Sequence, residues 1–425
     1  MKKLSGLQLV LLLIISLFIG YYFGVTKVSL DYKNYKPQIR AISKEPPPDV
    51  TTVDFSQFWI VWQKLQAGYY DKTKLDPQKM LNGAISGMVQ SLGDPFTLYL
   101  PPTQNDNFKQ GLAGQFSGIG AELGTKDKDI IVISPLDGSP AQKEGIKAGD
   151  LILKVDNEST IGWTLSQAVE KIRGPKDTFV ALTVLHRNEK DSKEIKIKRD
   201  IITVKSVTGY VKKIKDVENI SENLKNIALV RQDASFAYIR LSQFGDSTNK
   251  DWVALIDKLN SQKQNARDFK GIVLDLRNNP GGYLTDAVFI ASEFLPKGSN
   301  VVLEEGGSFE RRSLGVSRSG KFLSIPVVVL INKGSASASE IVAGALRDQN
   351  RAKLVGETSF GKGTIQQAED FGNGSGIHIT VARWLTPNGV WVNEKGLEPD
   401  TSVPLTPKDK TDVQLEKAIE ELLKS

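Results

Sequence analysis

The sequence predicts a multidomain α/β protein, and three observations carry that expectation. At 425 residues with 40% apolar content the chain can bury more than one core. Its middle is a series of short β-rich runs broken by turn clusters. Beyond residue 199, strongly apolar strand-like runs alternate with helical patterns, as in a sheet covered by helices.

The elements follow in order. Lys2 and Lys3 precede an uncharged stretch, residues 7–24, close to the length that spans a bilayer. Bulky Tyr21, Tyr22 and Phe23 replace the small residues of a signal-peptidase site, so residues 1–24 read as an uncleaved transmembrane anchor with 4–24 in the membrane. The positive-inside rule then puts the body on the extracytoplasmic side, periplasmic or extracellular. Residues 25–53, polar and containing Pro46-Pro47-Pro48, read as a linker. In the segment 54–102, Phe55, Phe58, Trp59, Trp62 and Leu65, then Met80, Leu81, Ile85, Met88 and Val89, fall at helical spacing. They predict two helices parted near Asp76-Pro77, with Asp76 as N-cap.

Between residues 103 and 199, strands are expected at 130–133, 151–155, 179–184 and 194–197, with one helix at 165–172. From 200 to 410, strands are expected at 236–241, 271–276 and 326–331, and helices at 251–259, 284–294 and 339–348. Residues 208–227, with four lysines, read as a surface insertion, and 411–425 as a terminal helix.

Composition removes several kinds of chemistry. With no cysteine there are no disulfides, thiolate metal sites or cysteine nucleophiles. The two histidines, His186 and His378, sit in strand-like runs and cannot form a metal cluster of the His-Glu-x-x-His kind, so no metal or other cofactor is expected. The net charge of +6 is spread along the chain and gives nucleic-acid binding little support.

What remains is a hydroxyl and an amine. Ser337, in Gly334-Ser335-Ala336-Ser337-Ala338-Ser339-Glu340, lies between an expected strand and an expected helix, where N–H groups at a helix start can stabilise an oxyanion. Lys362, in Phe360-Gly361-Lys362-Gly363-Thr364, could deprotonate it if burial destabilises the ammonium. Taken alone, these stretches are a helix cap and a turn.

The wider pattern adds to this. Gly118-Ile119-Gly120-Ala121, Ser139-Pro140-Ala141 and Gly145-Ile146-Lys147-Ala148-Gly149-Asp150-Leu151-Ile152 resemble a PDZ domain, the first stretch standing at the carboxylate-binding loop. Asp275-Leu276-Arg277-Asn278-Asn279-Pro280-Gly281-Gly282, the stretches around Ser337 and Lys362, Thr386-Pro387-Asn388-Gly389 and Leu92-Gly93-Asp94-Pro95-Phe96-Thr97 look like the carboxyl-terminal processing (tail-specific) protease family, S41-type serine peptidases. The resemblance implies a crotonase-like core with an inserted PDZ domain. It implies Ser337 as nucleophile, Lys362 as base, and Gln366, one helical turn beyond the lysine, as its orienter. It implies an oxyanion hole from Ala338 and either Gly281 or Gly282, with Glu340 and Asp348 supporting the site and Arg173 sensing substrate. Its partners would be protein or peptide substrates with exposed C-terminal tails, and homo-oligomerisation is left open.

Two rivals stand beside this reading. Gly356 to Lys362 fits the first seven positions of a phosphate-binding loop, but Gly363 at the eighth offers no hydroxyl for Mg²⁺. A catalytically inactive, membrane-tethered PDZ scaffold is the other, and the presence of both Ser337 and Lys362 speaks against it.

Overall fold

The computed structural model describes residues 12, 15, 16, 28–33, 36–41 and 53–424, apart from 127, 128, 137, 187, 188, 219, 308, 407 and 408. It divides into two compact units, Met1–Leu81 and Asn82–Ser425. The expected membrane span lies almost wholly outside the described residues. Among those described, no helix is long and apolar enough to cross a membrane.

In the first unit, the segment expected as a spacer contains an antiparallel pair, Val28–Lys33 with Lys36–Ala41. The helical lead-in is present as helices Ser56–Gly68 and Pro77–Gln90, the latter running across the division between units. Asp76 does cap the second helix, its Oδ1 accepting the N–H groups of Gln78 and Lys79 at 2.8 and 3.1 Å.

The centre of the second unit is a six-stranded sheet ordered Val207–Lys213, Ala234–Leu241, Asp268–Asp275, Val327–Ile331, Ala352–Gly356 and Thr401–Ser402. The first pair is antiparallel and the others parallel. The run Val327-Val328-Val329-Leu330-Ile331 is buried throughout because helices cover both faces of a parallel sheet. One face packs against helices Thr248–Gln264, Leu284–Ala291 and Ala338–Asp348 through Trp252, Ile290 and Ile341. The terminal helix, Val413–Lys424, covers the other face with Ala418, Ile419 and Leu422, so it belongs to this core. Burying Ile419 and Leu422 there stabilises the fold by about 2 kcal/mol each.

Residues 208–227 are not an insertion. They supply the edge strand Val207–Lys213 and part of helix Glu222–Val230, with Ile214, Ile220 and Leu224 buried. Lysine at a sheet edge deters edge-to-edge pairing, which is why the segment reads as a solvated loop.

A second sheet, ordered Arg312–Gly315, Asn300–Gly306, Gly376–Leu385 and Thr364–Asp370, carries the short strand Leu98–Leu100 beside Gly376–Leu385. The PDZ-like segment has its own sheet, Lys193–Lys198, Phe179–Leu185, Leu151–Val155, Asp129–Pro135 and Ala121–Lys126, around a separate core. Its chain enters and leaves through one antiparallel pair, Gln115–Gly118 with Asp200–Thr203, the topology of an inserted domain.

Candidate active site

Of the three serines in Ser-Ala-Ser-Ala-Ser, two are framework. Ser335 is fully buried, its Oγ donating to Leu276 O at 2.8 Å and accepting from Asn332 N at 3.0 Å. Ser339 Oγ is equally buried and lies 2.8 Å from Ala336 O and 3.0 Å from Asn279 O. Ser337 is half-buried and its hydroxyl makes none of these framework bonds. It stands between the strand Val327–Ile331 and the helix Ala338–Asp348 with φ 55° and ψ −117°, a conformation costing a non-glycine residue about 1–3 kcal/mol. Such strain at the turn from strand to helix is the geometry of a nucleophile elbow.

Glu340 ties the turn together. Its Oε2 accepts the backbone N–H of Ser337 at 2.7 Å and of Lys362 at 3.0 Å. Its Oε1 accepts Ser359 Oγ at 2.6 Å and Gly361 N at 2.7 Å. Burial raises its pKa, opposed by these four donors. A carboxyl that receives four hydrogen bonds has no proton of its own to place, so it is ionised here.

Lys362 leaves that clamp with its carbonyl held by Trp384 Nε1 at 2.8 Å. Its Nζ rests 4.8 Å from the centroid of the Phe96 ring, and no hydrogen bond joins it to Ser337 Oγ. Burial lowers its pKa from the ordinary lysine value, against the opposing charges of Asp94 and Glu340. A cavity of about 470 Å³ beside it is lined by Asp94, Phe96, Phe360, Gly361 and Thr364 among others.

The glycine turn meets the serine closely. A Cβ on Gly281, whose φ is +99°, would lie 2.8 Å from Ser337 Cβ and 3.0 Å from Ala338 N. Asn279 shapes this turn: its Oδ1 takes Gly281 N at 2.9 Å and its carbonyl takes Ala336 N. Gly281's N–H is thus committed, whereas those of Ala338 and Gly282 reach no acceptor among the described residues.

Other expected residues lie elsewhere. Gln366 is on the strand Thr364–Asp370, not a helical turn past the lysine, and its Nε2 donates to Thr364 and Thr380 Oγ1 at 2.9 and 3.1 Å. No hydrogen bond joins it to Lys362. Asp348 is at the far end of the nucleophile's helix, about 16 Å along it, where its Oδ2 takes Asn388 N at 3.0 Å. His186 is buried against Asp150 at 2.8 Å, and His378 packs edge-to-face on Phe108. Neither approaches Ser337 through a hydrogen bond.

In the inserted domain, Gly118, Ile119, Gly120 and Ala121 form the turn into Ala121–Lys126, the edge strand of its sheet. Helix Leu165–Ile172, closed at its start by the Thr164–Gln167 capping box, packs against that strand. A free sheet edge beside a helix is the groove in which an extended peptide can add a strand. Arg173, just past the helix, stacks its guanidinium 4.9 Å from the Phe116 ring on the strand leading to this turn.

Comparison with known proteins agrees with this geometry. Residues 235–403 match the model of peptidase family S41, residues 108–185 the PDZ domain, and residues 15–103 the N-terminal domain of the activating protease CtpB. The chain is 38% identical over 344 residues to the carboxy-terminal processing protease CtpA of Bacillus subtilis, covering 81% of this chain and 68% of that one. It is 35% identical over 386 residues to CtpB of the same organism, covering 90% and 74%. Among solved structures it is similar to the photosystem II D1 C-terminal processing protease, at 29% identity and TM-score 0.50, over 85% of this chain and 95% of that one. A putative S41 protease from Bacteroides fragilis, 14% identical with TM-score 0.55 over 91% and 99% of the two chains, shares the fold.

Proposed function

Because the chain belongs to the carboxy-terminal processing proteases, serine-type peptidases of family S41 with a PDZ domain, we propose that it is a membrane-anchored endopeptidase with a Ser337–Lys362 dyad. The observation that carries the dyad is Glu340, one carboxylate oxygen of which holds the backbones of both residues. Two backbones tied to one carboxylate oxygen keep the two residues neighbours, which is what a serine–lysine pair requires.

In the proposed cycle, the PDZ groove takes the free C-terminus of a substrate, with N–H groups of the Gly118–Ala121 turn facing its carboxylate. Neutral Lys362 accepts the proton of Ser337 as Oγ bonds to the scissile carbonyl carbon. The N–H groups of Ala338 and Gly282 receive the oxyanion. Lysine then returns the proton to the departing amine, leaving an acyl-serine, which water hydrolyses with Lys362 again as base. The tether rests on the uncharged stretch 7–24 behind Lys2 and Lys3, and it implies an extracytoplasmic body.

The test uses the full chain with an unfolded protein ending in apolar residues, its C-terminus free or amidated. Cleavage is expected from wild type, reduced by the amide, and absent in Ser337→Ala and Lys362→Ala. A wild type that binds the tail but never cuts it would favour the scaffold.

A further inference from the structure

One motif remains without a task in this cycle. Gly93-Asp94-Pro95-Phe96-Thr97 precedes the inserted domain, yet it folds back against the lysine. Asp94 Oδ1 accepts Phe96 N at 3.0 Å and its Oδ2 accepts Thr97 Oγ1 at 2.6 Å. Thr97 Oγ1 in turn accepts Thr380 N at 3.1 Å, which fastens the turn to the strand Gly376–Leu385. That strand pairs with the one that begins two residues after Lys362. The Phe96 ring is therefore held in a fixed place, and the Lys362 ammonium lies 4.8 Å from its centroid.

Three charged or titratable groups act on Lys362, and a fourth lines the adjoining cavity. Asp94 comes from this turn and Glu340 from the nucleophile's helix. His378 lies on the strand Gly376–Leu385, its pKa lowered by burial and by the lysine's own charge, so it is neutral at neutral pH. Glu394 lines the cavity alongside Asp94. Glu340 has all four acceptor positions filled by other donors and cannot hold the ammonium directly. The groups that act on the ammonium itself are then the Phe96 ring face and the charge of Asp94.

We propose that Asp94 and Phe96 are positioning residues that form a resting place for the Lys362 ammonium, keeping it charged and off Ser337 until a substrate segment fills the adjoining cavity. A cation is favoured over an aromatic face and beside a carboxylate, so the resting place stabilises the protonated lysine. An apolar substrate side chain entering the cavity competes for the Phe96 ring and excludes water from the lysine. The ammonium gives its proton to the last water as that water leaves, and the neutral amine turns to accept the proton of Ser337. Substrate shifts this balance because it binds better when the ring is vacant.

The inference rests on Lys362 being the base, and the experiment separates the two. The pH profile of kcat/KM for a tail peptide is measured for wild type, Asp94→Asn, Phe96→Leu, Phe96→Tyr and Lys362→Met. Alongside it runs the rate at which a fluorophosphonate labels Ser337 in the unoccupied enzyme, with thermal unfolding to establish that each variant is folded. Asn keeps an acceptor for the turn and Leu keeps apolar volume. The acidic limb is expected to move down by about one pH unit in Asp94→Asn and by less in Phe96→Leu. Labelling should be several-fold faster in both, and Phe96→Tyr, which keeps the ring, should restore the wild-type profile. Limbs that stay or move upward in folded Asp94→Asn and Phe96→Leu, with Lys362→Met inactive, would overturn the resting place alone. A fully active Lys362→Met would overturn the base assignment beneath it.

Discussion

The carboxylate of Glu340 takes the backbone N–H of Ser337 at 2.7 Å from within the first turn of the helix that the serine opens. The same oxygen reaches the N–H of Lys362 at 3.0 Å, so a buried acid sets the spacing of nucleophile and base. Glu340→Gln puts an amide that carries its own protons where four donors converge. A loss of about 2 kcal/mol in stability is expected from the unsatisfied groups, and about a hundredfold in kcat from the misplaced pair. Denaturant unfolding and single-turnover cleavage check the two numbers.

Strain at Ser337 should be measurable as stability. Its φ of 55° suits glycine, so Ser337→Gly is expected to abolish cleavage while raising the unfolding free energy by about 1 kcal/mol. Ser337→Ala keeps the strain and should be as stable as wild type. Chemical denaturation of the two variants side by side distinguishes them.

Gly281 offers the converse case. Alanine there would bring a methyl group to 2.8 Å from both Ser337 Cβ and Ala336 O, on a backbone at φ +99°. Gly281→Ala is expected to destabilise by about 2 kcal/mol and to lower kcat by at least about tenfold, through displacement of the nucleophile rather than loss of an oxyanion donor. Gly281's own N–H is held by Asn279. Burst amplitude and kcat together report this.

Burial lowers the pKa of Lys362 against the pull of Asp94 and Glu340. The active form is the neutral amine, so kcat/KM should climb with pH and level off below the ordinary lysine value of about 10.4. A limb at or above that value would show that the lysine is not desolvated in the working enzyme.

Acid should loosen the terminal helix. Burial pushes the Asp412 carboxyl up, but its hydrogen bonds to Arg277 and the arginine's charge hold it below the usual 3.8. A depressed carboxylate contributes stability that is present above its unfolded pKa and is lost as pH falls through its folded value. Asp412→Asn is therefore expected to flatten the stability profile below about pH 4, and calorimetry across that range reads it directly.

Much of this architecture was legible because periodicity is local. The strands around Ile130, Leu151 and Phe179, the helix at Leu165, and the buried run Val327–Ile331 all lie where alternation and apolar runs place them. The lysine-rich edge strand Val207–Lys213 was not, because its partner residues sit 22 to 34 positions on and its lysines mask the inward Val207 and Val211. At the site, spacing singled out Ser337 and Lys362, yet could not tell that Ser335 and Ser339 are framework, since their acceptors Leu276 and Asn279 come from a distant turn. An offset of four residues carries a helical meaning only if a helix is there, and Gln366 lies on the strand Thr364–Asp370. Asn279 and Ser359 went unnoticed, although the Asn-Asn-Pro-Gly-Gly stretch held the first in plain view.

The dyad is tested most directly by locating a covalent adduct. The full-length protein, and its Lys362→Met variant, would be treated with a fluorophosphonate near the top of the pH profile and digested for peptide mass spectrometry. The account predicts one modified residue, Ser337, in wild type, and no modification when Lys362 is methionine. Label on another serine, or on Ser337 at an undiminished rate without the lysine, would contradict it.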